Sequence, residues 1–151
     1  MPHLTFAVPG APMGWSRPEN VRGTKKRRNK PEMNARQEAI RFFVTNTIQL
    51  SKEFKTSDFP LPIDTPIVLT VQAFFKIADK RKWGKIRLAA PDMSNLIKLV
   101  EDALQCSSQR RWSWGIYRDD CQIEKYGADI GRWYSDEDKT IVKLEWEEAN
   151  R

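Results

Sequence analysis

The sequence has few of the residues that most often bind zinc. It contains two cysteines, Cys106 and Cys121, and one histidine. A structural zinc site needs four cysteine or histidine ligands at short spacings. These three residues cannot supply such a site, and we expect both cysteines to be reduced thiols with a mostly structural role.

Long apolar segments are also missing. No apolar run approaches the roughly 20 residues that a membrane-spanning helix requires, and the first ten residues lack the basic start and apolar block of a signal peptide. The chain has 151 residues, of which 40% are hydrophobic and 30% charged, a composition typical of a globular domain. We therefore expect a cytoplasmic protein with a single domain over residues 1–151.

Positive charge is in excess, and much of it lies in two blocks. The net charge is +6 at neutral pH. The first block comprises Arg17, Arg22, Lys25, Lys26, Arg27, Arg28 and Lys30, and the second comprises Lys76, Lys80, Arg81, Lys82, Lys85 and Arg87. Either block alone could be a solvated loop. Two separated blocks favour a nucleic-acid partner, because they can neutralise phosphates and release counterions.

The spacing of apolar residues predicts strands and helices in the order β-α-β-α-β-β. The predicted strands cover residues 4–9, 67–75, 122–130 and 140–146, and the predicted helices cover residues 32–54 and 91–106. The last two strands are expected to form a hairpin, and the two basic blocks are expected to be loops. This order favours an α+β domain with a mixed sheet of about four strands and two packed helices.

Apolar faces of the two helices are expected to pack on the sheet. In the first helix this face comprises Ala39, Ile40, Phe43, Leu50 and Phe54, widened by Phe42, Val44 and Ile48. In the second it comprises Leu96, Leu99, Val100, Ala103 and Leu104. The opposite side of the second helix carries Asn95, Lys98 and Asp102. The strand at 67–75 is apolar on both faces, which predicts that both are covered.

Two segments place carboxylates beside regular elements. Asp92 precedes the second helix, and Asp119 and Asp120 precede the third strand. Mg²⁺ is usually held by one or two carboxylates with waters and substrate phosphate, so these residues suit metal-assisted phosphodiester cleavage. Structural alternatives exist: Asp92 could be a helix cap, Asp119 and Asp120 could be turn residues, and Lys98 and Asp102 could be an exposed pair.

The same two segments resemble the signature of the RusA family of Holliday-junction resolvases. Residues 91–104 read P-D-M-S-N-L-I-K-L-V-E-D-A-L, and residues 115–123 read G-I-Y-R-D-D-C-Q-I. The family pattern is approximately D-x-D-N-L-x-K-x-x-x-D-A-L, followed after a loop by D-D-x-Q-I/V. A weaker resemblance covers the first strand, the first basic block and the first helix, so the likeness extends over most of the chain.

The resemblance implies a homodimeric DNA endonuclease, of a kind often found on phage genomes, that cuts four-way junctions symmetrically with Mg²⁺ or Mn²⁺. It assigns catalysis to Asp92, Asp120 and Lys98, metal binding to Asp92, Asp120 and Asp119, and support to Ser94, Asn95 and Asp102. DNA contacts are expected from both basic blocks and from Arg110, Arg111 and Trp112 in the loop before Gly115. Trp112 and Trp114 could instead cover the core or a dimer interface.

One position departs from the family pattern. The family's second aspartate falls at Ser94, whose hydroxyl can coordinate Mg²⁺ but adds no negative charge. Asp119 or Asp102 could compensate, or the chain could bind branched DNA and cut it poorly. A basic RNA-binding protein is a further alternative, which accounts for the charge but not for the paired acidic segments.

Overall fold

The chain folds into a mixed sheet with two helices packed against it, which confirms the predicted α+β class. The computed structural model describes residues 2–17, 19–20, 22–23, 27–28, 30–50, 62–105 and 115–147. Its helices and strands, in chain order, are β1 (His3–Pro9), β2 (Glu19–Asn20), β3 (Arg27–Arg28), α1 (Pro31–Leu50), β4 (Ile67–Lys76), α2 (Met93–Leu104), β5 (Ile123–Tyr126), β6 (Gly131–Ser135) and β7 (Lys139–Trp146). Neither of these helices combines the length and apolar character needed to cross a bilayer.

β4 is the central strand of the sheet. One edge of β4 pairs antiparallel with β7, and β7 pairs antiparallel with β1. The other edge pairs parallel with β5 near its start and with β6 near its end. The first basic block, predicted as a loop, contains the short antiparallel pair β2–β3 as a separate sheet. The second contains a 3-10 helix at Lys80–Lys82.

The predicted hairpin between the last two strands is wrong. The strand predicted at residues 122–130 is in fact β5 alone, and β6 follows it before β7. β4 lies between β6 and β7 in the sheet, so these two strands do not pair with each other. The turn that joins β6 to β7 passes over the end of β4, where Asp138 Oδ1 accepts a hydrogen bond from the Lys76 backbone N–H at 2.8 Å. The sequence indicates a turn at this place, but nothing local indicates that a third strand lies between its arms.

The core lies between the sheet and the two helices. In β1 the buried residues are Leu4, Phe6 and Val8, and in α2 they are the five predicted residues together with Ile97. The core-facing side of β4 is also buried, as predicted. Its other side is covered only in part, because Val68, Gln72 and Phe74 are half-buried while Thr70 is buried. The prediction that β4 is covered on both faces is therefore wrong for much of the second face.

The predicted apolar face of α1 is confirmed in part. Its buried residues are the predicted Ile40, Val44 and Ile48 together with Met33 and Gln37, and the predicted Ala39 and Phe43 pack against the core. By contrast, Phe42 is 59% exposed and Leu50 84% exposed. Gln37 can lie inside because its amide donates to the Leu99 carbonyl at 3.4 Å, a contact that no apolar pattern reveals. Phe54, also predicted for this face, lies outside the described residues.

Candidate metal centre

Asp92 caps the N-terminus of α2. Its Oδ1 accepts a hydrogen bond from the Asn95 backbone N–H at 2.9 Å and one from Ser94 Oγ at 3.1 Å. Asp92 is therefore a helix cap, which was its structural alternative. Ser94, which occupies the position of the family's second aspartate, donates a hydrogen bond to the Asp92 carboxylate. The Asp92 side chain is exposed, so its role as a cap does not exclude contact with a ligand.

The segment after β1 packs on the exposed side of α2. The Trp15 backbone N–H donates to the Asn95 carbonyl at 2.8 Å, and Lys98 Nζ lies 3.7 Å from the centroid of the Trp15 ring. A Cβ at Gly14 would lie 2.7 Å from Pro91 Cβ, so only glycine allows this approach. The contacts with Trp15, which the sequence analysis missed, bring the start of the first basic block beside Asn95 and Lys98.

Two arginines hold the residues that lead into Asp92. Arg132, on β6, donates through Nη1 to the carbonyls of Ala89 at 2.9 Å and Pro91 at 2.8 Å. Arg87 donates through Nη2 to the Ala90 carbonyl at 2.8 Å, and its guanidinium lies 4.0 Å from the centroid of the Phe75 ring. Arg87 was predicted to contact DNA, but in the structure it is half-buried and packs within the protein.

The second acidic segment begins a 3-10 helix at Asp120–Gln122, directly before β5. Asp119 Oδ1 accepts a hydrogen bond from the Cys121 backbone N–H at 2.9 Å. One ligand atom from each of Asp119, Asp120 and Cys121 lies within 4.8 Å of the others, and all three residues are exposed. Cys121 is thus a surface thiol rather than a structural one, and Cys106 lies outside the described residues.

The two adjacent carboxyls affect each other's protonation. The hydrogen bond that Asp120 shares with Asp119 raises the pKa of Asp120, and partial burial raises it further. The hydrogen bond from Cys121 lowers the pKa of Asp119. Two neighbouring carboxylates repel each other unless a proton or a cation lies between them. Their oxygens therefore fit Mg²⁺ or Mn²⁺, which prefer oxygen ligands.

Gln122 connects the acidic turn, which comprises Asp119, Asp120 and Cys121, to the rest of the protein by hydrogen bonds. Its Oε1 accepts hydrogen bonds from the backbone N–H groups of Arg118 at 2.8 Å and Asp119 at 3.1 Å. Its Nε2 donates to the carbonyls of Ile63 at 2.8 Å and Thr65 at 3.3 Å. The role of the glutamine in the D-D-x-Q pattern was not predicted from the sequence; in the structure it fixes the backbone that carries both aspartates.

Glu101, which the sequence analysis also missed, lies beside Asp120. Tyr126 Oη donates to Glu101 Oε1 at 2.6 Å, and this bond raises the pKa of Tyr126 to about 12. Burial raises the pKa of Glu101, the bond from Tyr126 opposes this, and Asp120 and Asp102 raise it further, whereas Lys98 lowers it. Glu101 occupies an unspecified position of the family pattern, so only the structure reveals that it faces the acidic turn.

The acidic residues of the candidate site lie towards opposite ends of α2. Asp92 precedes the helix, whereas Glu101 lies nine residues later, roughly 14 Å along the helix axis. The end near the acidic turn holds Asp119, Asp120, Glu101 and Asp102, and the other end holds Asp92, Ser94 and Asn95, with Lys98 between them.

The predicted DNA contacts fall partly within the described residues. Those that are exposed are Arg17, Arg22, Arg27, Arg28, Lys30, Lys80, Arg81, Lys82 and Lys85. Arg81 is paired with Asp79 at 3.1 Å. The predicted contacts that lie outside the described residues are Lys25, Lys26, Arg110, Arg111 and Trp112, and Trp114 lies there too.

Replacing Ser94 with aspartate would restore the charge of the family pattern. We expect Ser94→Asp to tighten Mg²⁺ binding about tenfold, because an added carboxylate strengthens divalent-cation binding. An aspartate in the first turn of a helix is also favourable to stability. The measurement is a Mg²⁺-binding titration, with Ser94→Asn as a control of similar size and no charge. An unchanged Mg²⁺ affinity would show that Ser94 does not limit metal binding.

A sequence model of the family described as "Endodeoxyribonuclease RusA" matches residues 9–145. That span includes α1, α2, β4 and both acidic segments. A search of the curated proteins finds no match.

Proposed function

The chain belongs to the RusA family of endodeoxyribonucleases, and from that premise we propose that it is a Mg²⁺- or Mn²⁺-dependent endonuclease that resolves Holliday junctions and other branched DNA in recombination and repair. The observation that carries the proposal is the pair of exposed carboxylates at Asp119 and Asp120, whose oxygens lie close enough to share a cation. In a protein of net charge +6, this acidic pair would repel DNA phosphates unless a cation were bound.

We assign metal binding to Asp119 and Asp120 in the acidic turn and to Asp92 at the other end of α2, which is too distant for one ion to contact both ends. We assign catalysis to Asp92, Asp120 and Lys98. Bound Mg²⁺ would supply an activated water and neutralise charge on the phosphate. Lys98 is held over the Trp15 ring, from where its ammonium can stabilise charge on the scissile phosphate or the leaving oxygen. Ser94 donates to the Asp92 carboxylate, and the Asn95 backbone N–H does the same. Both contacts orient that carboxylate at the helix terminus, and Asp102 contributes negative charge near Asp120.

We propose further that the protein is a single domain that acts as a homodimer in the cytoplasm of a bacterium or a phage-infected host. Two symmetric cuts in a four-way junction require two active sites related by a two-fold axis. Both basic blocks except the packed Arg87, with Arg110, Arg111 and Trp112, would bind the junction arms. Because this binding depends on phosphate contacts, its affinity should fall steeply with added salt.

The test is incubation of the purified protein with a synthetic four-way junction in Mg²⁺ and, separately, in EDTA. We expect paired nicks at symmetric positions in Mg²⁺, none in EDTA, and little cleavage of a linear duplex of the same sequence. The absence of nicks in Mg²⁺ and in Mn²⁺ would overturn the proposal. Tight junction binding without cleavage would instead support the non-cutting binding protein that Ser94 suggests, and preference for linear RNA in competition would support an RNA-binding protein.

Arg132 offers a separate test of how Asp92 is positioned. Arg132→Met removes the donors that hold Ala89 and Pro91, and we expect cleavage to fall about tenfold or more with a stability loss of about 1–2 kcal/mol. Arg132→Lys keeps the charge, but its ammonium lies one bond closer to the backbone than Nη1, which makes both hydrogen bonds, so this variant should also lose activity. Cleavage rates and urea unfolding are the measurements. A fully active Arg132→Met protein would mean that these bonds do not position Asp92.

A further inference from the structure

An aromatic pocket lies on the face of the sheet away from the two helices. Its volume is about 520 Å³, within the range of small-ligand sites, and its lining includes Gln72, Phe74, Trp83, Trp133, Tyr134 and Asp136. We use "aromatic pocket" for the space between these residues. It involves β4, β6 and the loop after β4, and none of the residues assigned to the metal centre contributes to it.

The aromatic rings of the pocket are held in place. Phe74 and Trp133 are cross-strand partners whose rings stack with centroids 5.4 Å apart and an interplanar angle of 30°. Trp83 Nε1 donates to the Ile77 carbonyl at 2.9 Å, which fixes the indole, yet Trp83 remains 40% exposed. A Cβ at Gly131 would lie 2.5 Å from the Trp133 ring, so the position of that ring depends on the glycine. The pocket thus offers aromatic surface that is already ordered.

Charges of both signs surround the pocket. Lys80 Nζ lies 5.9 Å from the centroid of the Trp83 ring, and Lys139 Nζ lies 5.2 Å from that of Phe74 but is paired with Glu137 at 2.7 Å. Lys82 and Lys85 are exposed on the same loop as Trp83. Within the lining, Asp136 and Gln72 offer oxygen acceptors. The side of the rim that carries Lys80, Lys82 and Lys85 therefore attracts phosphates, whereas the acceptors at Gln72 and Asp136 suit a planar group with N–H donors.

The pocket is linked to the segment that leads into Asp92. Residues 84–87 run beside β6, with hydrogen bonds from Gly84 N to the Tyr134 carbonyl, from Tyr134 N to the Lys85 carbonyl and from Arg87 N to the Arg132 carbonyl. The same loop then continues to Ala89 and Pro91, which Arg132 holds. A DNA strand bound at the pocket would therefore be fixed relative to the N-terminus of α2.

We propose that the aromatic pocket binds an unstacked nucleobase of a DNA strand, whose neighbouring phosphates contact Lys80, Lys82 and Lys85. Aromatic side chains that stack on bases, combined with cations that follow the backbone, are how proteins hold single-stranded nucleic acid without reading its sequence. The inference rests on the proposed function, because branched DNA presents bases that can leave the stack where its arms meet.

The experiment measures binding in EDTA of two probes that carry one 2-aminopurine: a single-stranded oligonucleotide, and a four-way junction labelled at the branch point. Trp83→Ala removes one wall of the pocket, and Gly131→Ala displaces the Trp133 ring without removing it. Phe42→Ala is the matched control, because it removes an exposed aromatic ring from α1. Urea unfolding of each variant confirms that it is folded.

We expect Phe42→Ala to bind each probe as tightly as wild type does. With both proteins, the 2-aminopurine fluorescence should change on binding. Trp83→Ala and Gly131→Ala should bind about tenfold more weakly and lose most of that fluorescence change. Wild-type affinity and fluorescence in both variants would overturn the proposal. So would a loss of dimer in sedimentation with DNA binding unchanged, since the pocket would then be an interface between copies.

The same assay separates this inference from the proposed function. If wild type fails to cut the junction in Mg²⁺ but the pocket variants lose the fluorescence change, the pocket binds bases and the nuclease proposal fails. If wild type cuts the junction and the variants keep both affinity and fluorescence change, the nuclease proposal stands and the pocket proposal fails.

Discussion

Asp120→Asn is expected to reduce Mg²⁺-dependent junction cleavage at least about a hundredfold while junction binding in EDTA stays as tight or becomes tighter. The substitution keeps the size of the side chain but removes the anionic oxygen that we assign to the metal, and metal stabilisation of phosphoryl oxygens is worth several kcal/mol. Loss of one negative charge beside the DNA does not weaken phosphate binding. Single-turnover cleavage and equilibrium binding to the same junction are the two measurements.

Asp129→Asn is the matched control for Asp120→Asn. Asp129 is exposed in the connection between β5 and β6. Its replacement by asparagine removes the same negative charge as Asp120→Asn, so the cleavage rate of Asp129→Asn should equal that of wild type. Asp92→Asn tests the other end of α2. If Asp92→Asn abolished cleavage while Asp120→Asn cut at the wild-type rate, the metal centre would lie at the N-terminus of α2, and the assignment of Asp120 would be wrong.

Gln122→Ala is expected to lower the free energy of unfolding by about 2–3 kcal/mol and to abolish measurable cleavage. The loss of stability follows from the hydrogen bonds that Gln122 makes to Arg118, Asp119, Ile63 and Thr65, each with a net value of about 0.5–1.5 kcal/mol. The loss of activity follows because the backbone carrying Asp119 is no longer fixed. Urea unfolding gives the first quantity, and junction cleavage well below the unfolding transition gives the second.

Two further variants test whether the loss of stability and cleavage is due to the hydrogen bonds of Gln122. Gln49→Ala, at an exposed position of α1, should leave stability and cleavage unchanged. Gln122→Glu keeps an acceptor for the two N–H groups but loses the donor to the carbonyls, so its stability should fall between wild type and Gln122→Ala. If Gln122→Ala were as stable and active as wild type, the glutamine would not hold the acidic turn.

α2 shows what sequence can predict well. Its core face repeats at local spacings of three and four residues, so Leu96, Leu99, Val100, Ala103 and Leu104 could all be placed correctly without knowing their partners. The strands β1 and β4 were also found, since alternation is equally local. Predictions that depend only on neighbours along the chain therefore agree with the structure.

The wrong predictions concern strand pairing and helix burial, both of which depend on contacts between residues far apart in sequence. The partner of β7 is β4 rather than the preceding strand, because pairing is decided by packing across the whole sheet rather than by the turn at residues 136–138. In α1 the buried Gln37 depends on the Leu99 carbonyl of α2, and an apolar pattern favoured Phe42 in the core instead. Each error follows from a contact between residues far apart in sequence.

The candidate site was predictable in part. The segments around Asp92 and Asp120 stand out by their resemblance to a family pattern, whereas Glu101, Trp15 and Gln122 act through contacts that no spacing indicates. Asp92 serves as a helix cap, as its structural alternative supposed, whereas Asp119, for which the alternative was a turn residue, caps a 3-10 helix. Both nevertheless remain exposed, so the structural role and the proposed role as ligands are compatible.

The most direct test of the central claim is to locate a bound metal. Crystals of protein that cuts four-way junctions would be soaked in Mn²⁺, and the ion would be found by its anomalous scattering. We predict a peak within coordination distance of an Asp120 carboxylate oxygen, with Asp119 as a further ligand. A Mn²⁺ peak held by other residues, with none at Asp120, would contradict the account.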